Sequence, residues 1–142
     1  MKKKWSVHIL PIILLCVVML CSIPAQAMEA RASTRIAHST ATLSRKSNGD
    51  LSIFFSVQGT GRMDVIGATS VEIQRSTITG WVTEYTFTTS NAPTIQTESK
   101  FQHSAVLTYS PLFTGKEYRA VVMIYVEDAT GSSTQQMTSK AV

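Results

Sequence analysis

The chain has 142 residues, with 13 Lys and Arg against 9 Asp and Glu and a formal net charge of +4. Lys2, Lys3 and Lys4 hold most of that excess, so residues 28–142 carry ten basic against nine acidic side chains, and no basic stripe argues for nucleic acid or an anionic membrane as a partner. Both cysteines, Cys16 and Cys21, lie near the N-terminus, so residues 28–142 can form no disulfide, thiolate nucleophile or Cys-ligated zinc site.

Residues 1–27 read as a secretory signal peptide. "MKKKW" is a basic start, an apolar run follows from about Ile9 to Ile23, and "PAQA" places Ala25 and Ala27 where a signal peptidase needs small residues. The run is short for a spanning helix, which needs roughly 20 residues. Export and cleavage are therefore expected, with a secreted, extracellular product and no stable membrane insertion. Cleavage after Ala32, in "ARA", is the alternative. Leu15 and Leu20 precede the two cysteines where lipoprotein processing needs a small residue, so a lipid anchor is not expected. The polar stretch 28–35, "MEARASTR", reads as a flexible leader. Residues 36–142 read as one domain, in a length range that buries roughly 65% of its unfolded surface. The lack of cysteine and of an N-x-S/T sequon in this part fits a bacterial exported protein.

Beyond the leader, period-two stretches recur and each ends in Gly, Pro, Asn or Asp. Strands are expected over 36–44, 51–57, 69–76, 81–88, 101–109, 118–126 and 132–139. Asn48-Gly49 is a strong hairpin signal. In 51–57, Leu51, Ile53, Phe55 and Val57 share one face; in 118–126, Tyr118, Ala120, Val122, Ile124 and Val126 do. All seven glycines are expected in turns or connections. Seven strands without a helix predict an all-β, seven-stranded antiparallel β-sandwich.

The stretch "LFTGKEYRAVVMIYVEDATGSSTQQMTS" resembles the end of an immunoglobulin/fibronectin type III-like domain. Leu112 stands six residues before Tyr118 with Gly115 between them, and alternating apolar residues follow. The resemblance implies that Leu112, Gly115 and Tyr118 form a tyrosine corner, the phenol capping backbone where the chain crosses between layers. Phe54-Phe55 stands where that family usually has a Trp. The chain is also similar to small exported proteins of Gram-positive anaerobes of unknown function, which carry a like glycine-bracketed Met-Asp stretch. That similarity implies a compartment and a fold, and no activity.

That stretch is "QGTGRMDVIGA", residues 58–68. It lacks the Lys and the following helix of a phosphate-binding loop. The reading preferred is a crossing between strands, with Met63 and Ile66 buried and Arg62 and Asp64 outside; a ligand loop is the alternative. His38 and His103 lie in different strands without metal-ligand spacing. Glu127-Asp128 offers too few oxygens for calcium. No serine sits in a nucleophile elbow. No catalytic residue, metal or cofactor is assigned, and an enzyme is not expected. Val121, Met123 and Tyr125, on the second face of 118–126, are more apolar than a solvated face needs, which marks a possible partner surface. The functional expectation is non-catalytic binding to an extracellular protein or glycan. The alternatives are a self-associating surface or matrix component and a small hydrolase.

Overall fold

A computed structural model describes residues 35–142. The expectations for Ala25, Ala27 and Ala32, and for residues 1–34 generally, lie outside the described residues. Within them the chain forms six strands: β1 (Ile36–Arg45), β2 (Leu51–Thr77), β3 (Gly80–Thr88), β4 (Gln96–Tyr109), β5 (Tyr118–Asp128) and β6 (Gly131–Thr138). A single 3-10 turn, Pro93–Ile95, precedes β4. All pairings are antiparallel and join one sheet.

The β1–β2 turn follows from its residues. Gly49 takes φ +91° without the steric cost a Cβ would add. Asn48 Oδ1 accepts the Asp50 amide at 3.1 Å, and Ser110 and Asn48 hydrogen bonds hold the Asp50 carboxyl below its usual pKa. Arg35 ties the start of β1 to the far hairpin. Its Nε donates to Asp128 Oδ2 at 3.0 Å and its Nη2 to Thr130 Oγ1 at 2.7 Å.

The strand count differs from the seven expected because residues 51–77 form one 27-residue strand. The stretch 58–68 is not a connection between strands; it stays within β2 and is paired on both sides of a bulge. Gln58 faces Gln102 and Met63 faces Lys100, so the four residues 59–62 stand against Phe101 alone, a wide bulge that bends the strand. Three glycines therefore lie inside a strand, against expectation. At Gly59 an added Cβ would sit 2.8 Å from the Met63 side chain. Gly67 has φ +148°, and a Cβ there would strike the Ile95 carbonyl and lie 2.6 Å from Gln96 Cα. β4 also begins earlier than expected, because residues 96–100 pair with this bent part of β2.

The first half of β2 pairs with β1 and β4; the second half pairs with β3 and β5, and β6 lies beyond β5. Side chains from both halves meet in one core. Leu51, Ile53, Phe55 and Val57 join Met63, Ile66, Ala68, Val71 and Ile73, and β5 adds Tyr118, Ala120, Val122, Ile124 and Val126. Burying each large apolar side chain contributes about 1.5–3 kcal/mol.

Candidate functional site

Alternation along β5 sends Arg119, Val121, Met123, Tyr125 and Glu127 to the face opposite the core, and all five are half-buried. The register frames them with polar residues. Glu72 stands opposite Val121, Ser70 opposite Met123 and Gln74 opposite Arg119 on β2. On β6 the neighbours are Thr138, Gln136 and Thr134. Three apolar side chains thus form a row across a polar surface.

One end of this row is held by a network. Arg119 Nε donates to Gln74 Oε1 at 2.9 Å. Gln74 Nε2 donates to Glu72 Oε2 at 3.0 Å, and the Thr83 hydroxyl donates to the same oxygen at 3.1 Å. The Arg119 guanidinium lies 4.4 Å from the centre of the Trp81 ring. At the other end the Tyr125 hydroxyl donates to Glu127 Oε2 at 2.6 Å, and that bond to a carboxylate raises the phenol pKa. These side chains are ordered before any partner arrives, which lowers the entropy lost on binding. Phe54 also points outward, but it stands opposite Thr42 and Val106 in the first half of β2 and does not extend the row.

In the bend of β2, Met63 and Ile66 are buried in the core while Arg62 and Asp64 are exposed. At the start of β5, Tyr118 is fully buried and its hydroxyl donates to the Phe113 carbonyl at 3.2 Å. Burial is the main cause that raises its pKa. Gly115 sits in the intervening turn with φ +68°. Leu112 does not take the place the resemblance implied, for it is 82% exposed. Phe113, 47% exposed, instead lies under the Arg75 guanidinium, 4.3 Å from its ring centre.

Sequence reasoning missed a second cluster, between β3 and β4. The Glu84 side chain is 8% exposed and ion-paired to Arg75. Tyr109 donates to its other oxygen at 3.3 Å. Burial, then the nearby Glu84 charge, raises the Tyr109 pKa. Tyr85 stacks on Tyr109 at 5.5 Å between centroids and meets Phe87 edge-on at 4.8 Å. The pairing explains how Glu84 gets there. Gln74 pairs with Thr83 and Ile73 with Tyr85, so Glu84 is the extra residue of a bulge. The signal was the break in alternation at "VTEYT". The Glu84 carboxylate is thus held between a guanidinium and a phenol, with both oxygens partnered.

The histidines are apart. His38 is exposed; His103 Nε2 lies 2.8 Å from the Thr94 carbonyl oxygen, with its ring edge-on to Phe55. Among the described residues, no three His, Cys, Asp or Glu side chains gather where they could hold a metal ion. A shallow groove of about 160 Å³ is lined by Val65, Thr89, Pro93, Gln96, Thr97 and Glu98. That is below the roughly 300–1,000 Å³ of a small-molecule site. No helix of the described residues is long and apolar enough to cross a membrane. Compared with family models, curated proteins and solved structures, the chain matches none.

Proposed function

We propose that this is a secreted, non-catalytic β-domain that binds an extracellular protein or glycan through the outer face of β5. The observation that carries the proposal is the row Val121, Met123 and Tyr125, set in a polar surface that is already hydrogen-bonded in place. A face of this kind matches the anatomy of a binding interface, with apolar and aromatic centres and a polar rim. Its mix of Glu72, Arg119 and Glu127 favours a partner without strong net charge. The fold belongs to the same proposal: a two-layer sandwich resembling fibronectin type III. Its support is that β1-β2-β4 and β3-β2-β5-β6 share one bent strand and enclose one core.

The test is a binding screen of the secreted protein on arrayed glycans and extracellular proteins, run beside Met123→Glu. The expected result is a hit that Met123→Glu weakens about tenfold or more, as loss of a central contact does. Val106→Glu, on β4 beside the first half of β2, should leave that hit unchanged. A hit that both variants retain equally would refute the assignment to β5.

A further inference from the structure

Among the described residues β4 pairs with β2 and with no other strand, so one side of it is a sheet edge. An edge offers a row of free N–H and C=O groups to any extended chain, and proteins blunt edges with Lys, Pro, bulges or a covering segment. β1, β3 and β6 are edges too, but β1 and β6 lie against each other, Ser39 Oγ bonding Gln135 Oε1 at 3.0 Å and Met137 Sδ at 3.3 Å, and β3 is broken by the bulge at Glu84. The charges of β4 itself lie only at its start, where Glu98 and Lys100 flank Ser99 at φ +56°; at the other end Lys46, from the β1–β2 turn, donates to Thr108 Oγ1 at 3.2 Å and leaves Val106 uncovered. The remaining stretch, 101–109, reads "FQHSAVLTY" and has no Lys, Arg, Asp, Glu or Pro. It instead exposes Phe101 at 62% and Val106 at 63%.

We infer that this edge takes a second copy of the chain, antiparallel, with the two-fold axis at Val106. In that register the strand is its own complement. Ser104 faces Thr108, Ala105 faces Leu107, His103 faces Tyr109 and Gln102 faces Ser110, so no like formal charges oppose each other. Phe54, 39% exposed, is the cross-strand neighbour of Val106. The dyad therefore joins two Phe54–Val106 pairs into one apolar row on a continuous sheet. A strand bearing charges would set them beside Val106 and Ala105 without counter-ions. The contact is isologous and closes on itself as a dimer. It uses neither Val121, Met123 nor Tyr125, so it does not depend on the binding function proposed above.

Sedimentation across a concentration series tests this. A strand-edge contact is small, so a dimer should emerge on the order of 100 μM. Val106→Lys should weaken it about tenfold or more, as an edge lysine opposes pairing. Because Val106 faces solvent, the same variant should melt within a few degrees of wild type. A second variant reads the register. In the full chain with Cys16→Ser and Cys21→Ser, Val106→Cys should oxidise to a disulfide dimer, since residues paired across a dyad fall within bonding reach. Val121→Cys in the same background should stay reduced. A chain that remains monomeric at about 1 mM overturns the inference. So does a dimer that Val106→Lys leaves intact, or one that cross-links through Val121→Cys instead.

Discussion

In the first half of β2, Leu51, Ile53, Phe55 and Val57 are all fully buried, and the row facing the core is apolar throughout. In the second half the corresponding row runs Val71, Ile73 and then Arg75, which pairs with Glu84. The first half lies between β1 and β4, with Leu51 paired to Tyr109 and Phe55 edge-on to the His103 ring. The second half ends where the Phe113 ring, the Tyr109 and Tyr118 phenols and the Glu84 carboxylate converge. One strand thus turns a wholly apolar row to the core in its first half and, in its second, a row that ends in a satisfied polar cluster. A buried charge is tolerated only with partners, and the β3 bulge supplies one.

The largest effects should come at the bend that joins the halves. Met63→Asp places a carboxyl in the core with no partner and should cost about 3–5 kcal/mol in urea unfolding. Arg62→Ala and Asp64→Ala, on the exposed side of the same bend, should stay within about 0.5 kcal/mol. If those polar changes instead remove partner binding while stability holds, the bend is a site as well as a corner. Gly67→Ala should cost about 3 kcal/mol, from the strained φ together with the collision at the Ile95 carbonyl.

Glu84→Gln probes the polar end and should cost about 1–3 kcal/mol, by leaving Arg75 half-buried without its counter-ion. Arg75→Met combined with Glu84→Leu should recover much of the loss. If the double variant is as unstable as the sum of the singles, the two residues do not act as a pair. The smallest effect should be at Asp128, whose carboxyl is lowered to about 2, first by the hydrogen bonds from Thr130 and then by Arg35. A lowered folded-state pKa means the stabilisation is present above the unfolded value near 3.8 and is lost as pH falls toward 2. Asp128→Asn should flatten the melting temperature between those pH values. An unchanged acid slope would show that the Asp128 carboxylate, with its bonds to Thr130 and Arg35, contributes nothing to the acid dependence.

Much of the fold is legible in the sequence because alternation is a local property. The inward rows of 51–57 and 118–126 can be read residue by residue, as can the Asn48-Gly49 turn, and Met63 and Ile66 announce their burial as apolar residues among glycines. The glycines themselves mislead. Gly59, Gly61 and Gly67 read as the end of a strand, yet Gly59 and Gly67 are what allows a strand to bend without ending. Leu112 misleads in the opposite way: its spacing to Tyr118 fits a corner, but the phenol is satisfied by the Phe113 carbonyl and Leu112 is left in solvent.

The sequence by itself determined the β character, the residues facing the core and the positions of most turns, because each depends on side-chain period and on which residues tolerate a given φ. Only the tertiary structure decided that 51–77 is continuous, since that rests on Lys100, Ile95 and Arg35 meeting the bend from distant parts of the chain. It likewise decided that Glu84 turns inward to Arg75 and that Val106 faces an open edge. Those outcomes depend on register between strands, and register is set by partners that no local window contains.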